Sequence, residues 1–229
     1  MIPLRPPRRA IALPAAAAIA AAAALAGAGP DTPSADPAAA WAAFARSCFA
    51  GADTAEASVS HEVIHPLGAA APPRRGTLRA GRGGRFRLEI GAPDPIVVVS
   101  DGRAIRAWDP ASRIAVEEPV EGSALGAAFA FALGKKGEAA PAARWLGGGV
   151  KPEDGAPAAL AIDLPGRSPS VARVALALAP KCPSLVRIAI ADRAGTAIRI
   201  TLGDVRLGVR FPGRPFAFTP PRGVRIVRP

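Results

Sequence analysis

The chain has 229 residues, half of them hydrophobic, and its 29 Lys and Arg against 18 Asp and Glu give a formal charge of +11. That length suits one domain with a real core behind an N-terminal leader. Tyr is absent, Phe is sparse and the arginines are spread along strand-like segments, which argues against a nucleic-acid binder built on stacking platforms and fits a protein that meets anionic headgroups or acidic surfaces.

Arg5, Arg8 and Arg9 precede an Ala-rich apolar core, and Ala26-Gly27-Ala28 offers a small-x-small cleavage site. Residues 1–28 therefore read as a secretory signal peptide. Ala28 stands where a lipidated Cys would be needed, so the expected product is periplasmic and soluble after cleavage. A Pro/Ala-rich linker over 29–36 leads into a domain over 37–229. No later stretch is long and apolar enough to span a bilayer.

Asp36-Pro37 predicts an N-cap with Pro at the first helical position, and Trp41, Phe44 or Ala45, and Cys48 recur at helical spacing. Strands are predicted over 57–64 and 76–80. An antiparallel meander follows. Phe86, Leu88 and Ile90 alternate with Arg85, Arg87 and Glu89; a β-branched run over 96–99 ends at the hairpin signal Asp101-Gly102; a third run covers 105–108, and Ile114–Val120 reads as one more strand. Ser123 caps a second predicted helix, 124–133, closed by Gly134 and apolar almost all round, as expected of a helix that is buried or covers an apolar surface. Residues 135–155 show no clear pattern. Alternation returns at Leu160, Ile162 and Leu164, at Val174, Leu176 and Leu178, at Val186, Ile188 and Ile190, and at Ile198, Ile200 and Leu202. About ten strands result, and an antiparallel sheet of that size curls.

His61-Glu62-Val63-Ile64-His65 matches the H-E-x-x-H of zinc hydrolases, which needs a helix to bring both imidazoles to one ion. Ser58-Val59-Ser60 is strand-like and Pro66 follows at once. On a strand the two His stand roughly 13 Å apart, too far for one metal. No catalytic residues, metal site or cofactor are expected. Cys48 and Cys182 are the only cysteines. An oxidising compartment favours their pairing, but the sequence does not show that they meet. Trp41, Trp108 and Trp145 read as core.

The ordered set Gly76-Thr77-Leu78, Arg82, Phe86-Arg87-Leu88, Val99-Ser100-Asp101-Gly102 and Trp108-Asp109-Pro110, with the ending Phe216-Ala217-Phe218-Thr219-Pro220-Pro221-Arg222-Gly223-Val224, resembles the outer-membrane lipoprotein carriers, the LolA family. The resemblance covers nearly all of the chain after the leader. It implies an unclosed antiparallel β-barrel, mainly β with a helical lid, whose apolar cavity holds lipoprotein acyl chains. It also implies an inner-membrane ABC transporter that loads the carrier and an outer-membrane receptor that unloads it. On this reading Phe86, Leu88, Ile90, Val98, Val174, Leu176, Ile188, Ile190, Ile198, Ile200, Phe216 and Phe218 line the cavity. Leu125, Phe129 and Leu133 form the lid. The family's Arg-Pro, whose Arg bonds toward the lid, is here Arg82-Gly83. A monomer is expected, with a hollow concave side. The alternative is an envelope-stress sensor, or another lipid-binding periplasmic protein, of the same half-barrel fold.

Overall fold

The computed structural model describes residues 36–66, 71–135, 137–164 and 171–228; the expected leader, and the linker apart from Asp36, lie outside them. Helix α1 (Pro37–Cys48) starts as its sequence predicts: the Asp36 carboxylate accepts the Ala38 N–H at 3.0 Å and Pro37 needs no donor. The meander is β1 (Thr54–Ile64), β2 (Arg74–Gly81), β3 (Arg85–Ile90), β4 (Ile96–Asp101), β5 (Ala104–Asp109) and β6 (Ile114–Pro119). Helix α2 (Ala124–Leu133) follows, then β7 (Ala143–Gly148), β8 (Ala158–Ile162), β9 (Val171–Leu178), β10 (Leu185–Asp192), β11 (Ala197–Leu207) and β12 (Arg225–Val227).

Among the described residues these strands form a single sheet in the order β12-β6-β5-β4-β3-β2-β1-β11-β10-β9-β8-β7. The parallel β12–β6 pair is the one exception to antiparallel pairing, and β12 and β7 are free edges, so the barrel is unclosed. Leu78 and Ala80 of β2, Leu202 and Val205 of β11 and Leu185 of β10 all border one small void with Phe129 and Leu133 of α2. The sheet wraps round that helix.

Register sorts the two faces, because directly opposed residues share a side. One inner row runs Leu78, Leu88, Val98, Ala107. Another runs Ile200, Ile188, Leu176, Leu160, and a third Ile198, Ile190, Val174, Ile162. The outer face is an ion-pair lattice. Glu56 takes both Arg79 and Arg206, Arg87 meets Glu89 at 2.7 Å, and Glu117 takes Arg106 and Arg228 at 2.6 and 2.7 Å. Most strand arginines thus sit on a solvated face, as their spacing in the sequence implies.

Two strands escape the sequence pattern. β7 carries Gly147 and Gly148 and a register shift between Trp145 and Gly147, so alternation is lost; its pairing to β8 makes it a strand. β12 is three exposed residues held by β6. Trp145, at the β7 edge, is 41% exposed and is not core.

Candidate functional site

The concave face is apolar and covered. Phe86, Leu88, Ile90, Val98, Val174, Leu176, Ile188 and Ile200 are buried on it, and Ile190 and Ile198 are half-buried toward the end where β1 stops. Phe216 and Phe218 are not with them. They lie on the convex side, where Phe216 sits beneath the Arg85 guanidinium at 5.4 Å and Phe218 meets Trp108 at 6.4 Å. The reason is register: Arg85 and Trp108 occupy outward positions of β3 and β5, and the chain after β11 crosses that outer face. Alternating Phe residues in a segment without strand partners do not define a face.

Helix α2 starts with the Ser123 hydroxyl accepting the Gly126 N–H at 3.0 Å. Gly126 must be Gly, since a Cβ there would stand 2.4 Å from the Val120 carbonyl oxygen. Its inward residues are large. Phe129 is 3% exposed, Phe131 0% and Leu133 3%, and Phe129 packs on Phe86 with ring centroids 4.7 Å apart. Leu125 is half-buried against the same cluster. The outward side is small: Gly126, Ala127, Ala130 and Gly134 border a solvent-open groove of about 690 Å³.

Among the described residues, the hollow interior expected under α2 does not appear. The space between α2 and the sheet is a void of about 20 Å³, against the ~300–1,000 Å³ of ordinary ligand pockets. The side chains of α2 and the core residues Trp41 and Phe49 pack with the concave face into one apolar cluster.

The end of α2 is held by polar bonds. No basic residue lies in its last turn, so its terminal carbonyls need outside donors. Arg46 of α1 supplies them: Nη2 donates to Ala130 O at 2.9 Å and Nε to Phe131 O at 3.2 Å. Arg46 also donates to the carbonyls of Glu138 and, at 3.1 Å, Ala139. Burial pulls the Arg46 pKa down from its ordinary value, with Glu138 opposing. The Gly83 N–H donates to Leu133 O at 3.2 Å. Arg82 reaches Gly134 O at only 3.4 Å, and bonds Asp53 at 2.8 Å and the Phe49 carbonyl. Arg82 is thus a minor contact of the end of α2, and Arg46 is the main clamp. Sequence reasoning missed Arg46. The available signal was its position as the one charged residue in an Ala- and aromatic-rich helix.

α1 is fixed in turn. Trp41 is fully buried and its Nε1 donates to Gly149 O at 2.8 Å. Cys48 forms a disulfide with Cys182 in the β9–β10 connection, Cα atoms 5.3 Å apart. The H-E-x-x-H segment lies on β1 and its end rather than on a helix. His61 faces inward, opposed to Ile200 and to Arg74, whose Nη2 is 3.4 Å from Nδ1. Burial first, then the Arg74 charge, lowers the His61 pKa and keeps the ring neutral near pH 7.

A bent, open sheet whose apolar face is covered by one apolar helix defines a class: half-barrel proteins. The profile of the outer membrane lipoprotein carrier protein LolA matches residues 50–219, and the chain belongs to that family. It is similar to the outer-membrane lipoprotein carrier proteins of Bordetella bronchiseptica and Bordetella pertussis, 28% and 27% identical over 206 residues, each covering 83% of this chain and 90% of the relative. Among solved structures it is similar to a LolA superfamily protein from Nitrosomonas europaea, at 13% identity, TM-score 0.42, and coverage of 77% of this chain and 97% of the other. No helix among the described residues is long and apolar enough to cross a membrane.

Proposed function

We propose that this protein is a periplasmic carrier that takes lipoprotein acyl chains from an inner-membrane ABC transporter and hands them to an outer-membrane receptor. The observation that carries the reading is the mismatch between the two ways α2 is held. Its inner side offers only non-directional apolar contact to the sheet, which any hydrocarbon can replace. Its end is fixed by a few polar bonds from Arg46 and Gly83, which a partner can break without disturbing the sheet. The outer groove gives α2 room to withdraw. Acyl chains then occupy the rows led by Leu88, Val98, Ile188 and Val174, and closure over an empty interior competes with cargo and allows release.

The test is mass spectrometry of the protein captured from envelope extracts of its native host. Co-purifying triacylated lipoproteins, lost when α2 is tethered to β3 by an engineered disulfide, are expected. Capture of a signalling protein with no acylated cargo would overturn the carrier reading in favour of a sensor.

A further inference from the structure

Several outer-face arginines, Arg79, Arg87, Arg106 and Arg206 among them, are matched by carboxylates, whereas at one end of the sheet cations without such partners gather at a single place. At the end of the sheet where β2 turns into β3 and β4 into β5, Arg85, Arg103 and Lys135 converge with Arg82 on an open pocket of about 430 Å³. Arg82 is engaged with Asp53. Arg85 directs its Nε to the Arg82 carbonyl at 3.0 Å and stacks on Phe216, and its charge meets no carboxylate among the described residues. Arg103 and the Lys135 ammonium likewise have no acidic partner there. Asp101 also lines the pocket, but it is saturated: its Oδ1 accepts the N–H groups of Arg103 and Ala104 at 2.8 and 2.9 Å, and its Oδ2 accepts from Arg106 at 3.0 Å. Burial raises the Asp101 pKa, but those bonds outweigh it and hold the carboxyl below its usual range.

The two turns are pressed together to make this convergence. Gly102 has φ +93°, and a Cβ there would stand 2.7 Å from the Gly83 carbonyl oxygen and 3.2 Å from Arg85 Cγ. A Cβ at Gly83 would stand 3.6 Å from Lys135 Cγ, so the lysine stem lies across that turn. Three long cationic side chains of three different segments therefore rise from one glycine-lined junction. Like charges gathered at one place cost energy without a counter-anion, and forked guanidiniums beside an ammonium suit a phosphate oxygen set.

We infer that this junction binds the phosphate of anionic phospholipid headgroups and seats this end of the barrel on a membrane surface. The choice of a headgroup over a free anion follows from exposure: all three residues are exposed at the rim, on a chain whose formal charge of +11 falls by three to +8 without the leader's Arg5, Arg8 and Arg9, so a plane of phosphates reaches them together. The same junction borders Gly134 at the end of α2 and the groove outside it. Docking would bring the detachable end of the helix to the bilayer. Binding at this junction requires no cargo.

The experiment is co-sedimentation of the exported, purified protein with vesicles of phosphatidylcholine alone and with about a third phosphatidylglycerol, at low salt. The readout is the ratio of the two partition coefficients, which cancels any apolar insertion. Each basic residue near an anionic surface contributes about fivefold, so R85Q/R103Q/K135Q should lower the ratio by roughly a hundredfold. The charge-matched control R210Q/R214Q/R222Q should lower it far less, and raised salt should abolish the preference. Thermal melts check that both variants fold. Equal losses in the two triple variants would show diffuse attraction and overturn the site, as would no preference for the anionic vesicles. Saturable binding of inorganic phosphate in solution at sub-millimolar concentration, removed by R85Q/R103Q/K135Q, would show a free-phosphate site and overturn the headgroup assignment.

Discussion

Replacing Arg46 with Gln tests the clamp directly. The change deletes the donors to Ala130 O and Phe131 O, which are partly buried, and those to Glu138 O and Ala139 O, which are exposed. Water replaces the exposed pair at little cost. Each partly buried bond from a charged donor is worth about 1.5–3 kcal/mol at most, and the freed carbonyls regain some hydration, so the net loss is about 2–3 kcal/mol. That is a rise of roughly 30- to 150-fold in the population with α2 detached, at about 1.4 kcal/mol per tenfold. Hydrogen exchange reads it residue by residue. The α2 amides from Ala127 to Leu133 should exchange faster by that factor, while those of β3 and β4 keep their rates, because no Arg46 contact reaches them. Arg46→Lys should fall between the two, since it keeps the charge but loses the fork that serves several carbonyls at once. Unchanged α2 protection in Arg46→Gln would refute the clamp. Equal acceleration of sheet and helix would show that Arg46 supports the fold rather than the lid.

Other outcomes follow from the same contacts. Phe129→Ala removes a ring packed on Phe86 and merges its space with the existing void, at a cost of about 3–5 kcal/mol to α2 docking; binding of an environment-sensitive apolar dye should rise sharply, and dye binding equal to the parent's would contradict the packing. Cys182→Ser opens a loop of sequence separation 134, worth up to about 5 kcal/mol in the chain-entropy model, so the urea midpoint should fall, and reductant should shift the parent but not the variant. His61 has a folded-state pKa below its ordinary value of about 6.5, so the unfolded chain binds the extra proton. His61 should cause stability to fall as pH drops below about 6.5 and to level off above it. His61→Gln should flatten that slope in pH-dependent urea melts, and an unaltered slope would place the titration elsewhere.

The sequence was most informative where local chemistry and packing agree. Ser123 and Gly134 bounded α2 correctly because a hydroxyl cap and a helix stop are local devices, and the alternation through Phe86, Leu88 and Ile90 read true because that face is buried along its length. Phe216 and Phe218 misled because two-residue spacing has meaning only within a paired strand. β7 was hidden by its glycines, which leave no alternation to read. The hollow interior was expected because inward apolar residues look the same whether a guest or the protein's own helix covers them; only the volume of Phe129, Phe131 and Leu133 against the space available decides it. Arg46 could not be placed, because the carbonyls it serves lie more than 80 residues away.

On the proposed carrier reading, α2 sets a length requirement on the guest. Detaching α2 exposes Phe129, Phe131 and Leu133, each about 1.5–3 kcal/mol, so roughly 5–9 kcal/mol in apolar burial. Adding the clamp at about 2–3 kcal/mol gives roughly 7–12 kcal/mol for a guest to offset. At about 0.8 kcal/mol per buried methylene, that takes some 9–15 methylenes. A short acyl group leaves α2 in place, while one long chain, or several on the same anchor, displaces it. Fluorescent acyl probes in a graded series should therefore show a threshold near that length rather than a smooth rise. In Arg46→Gln the threshold should move down by about three methylenes, the clamp energy divided by the methylene increment. A smooth increase from the shortest probe would mean that guests bind outside the helix-covered face, in the outer groove, and that α2 is a fixed wall.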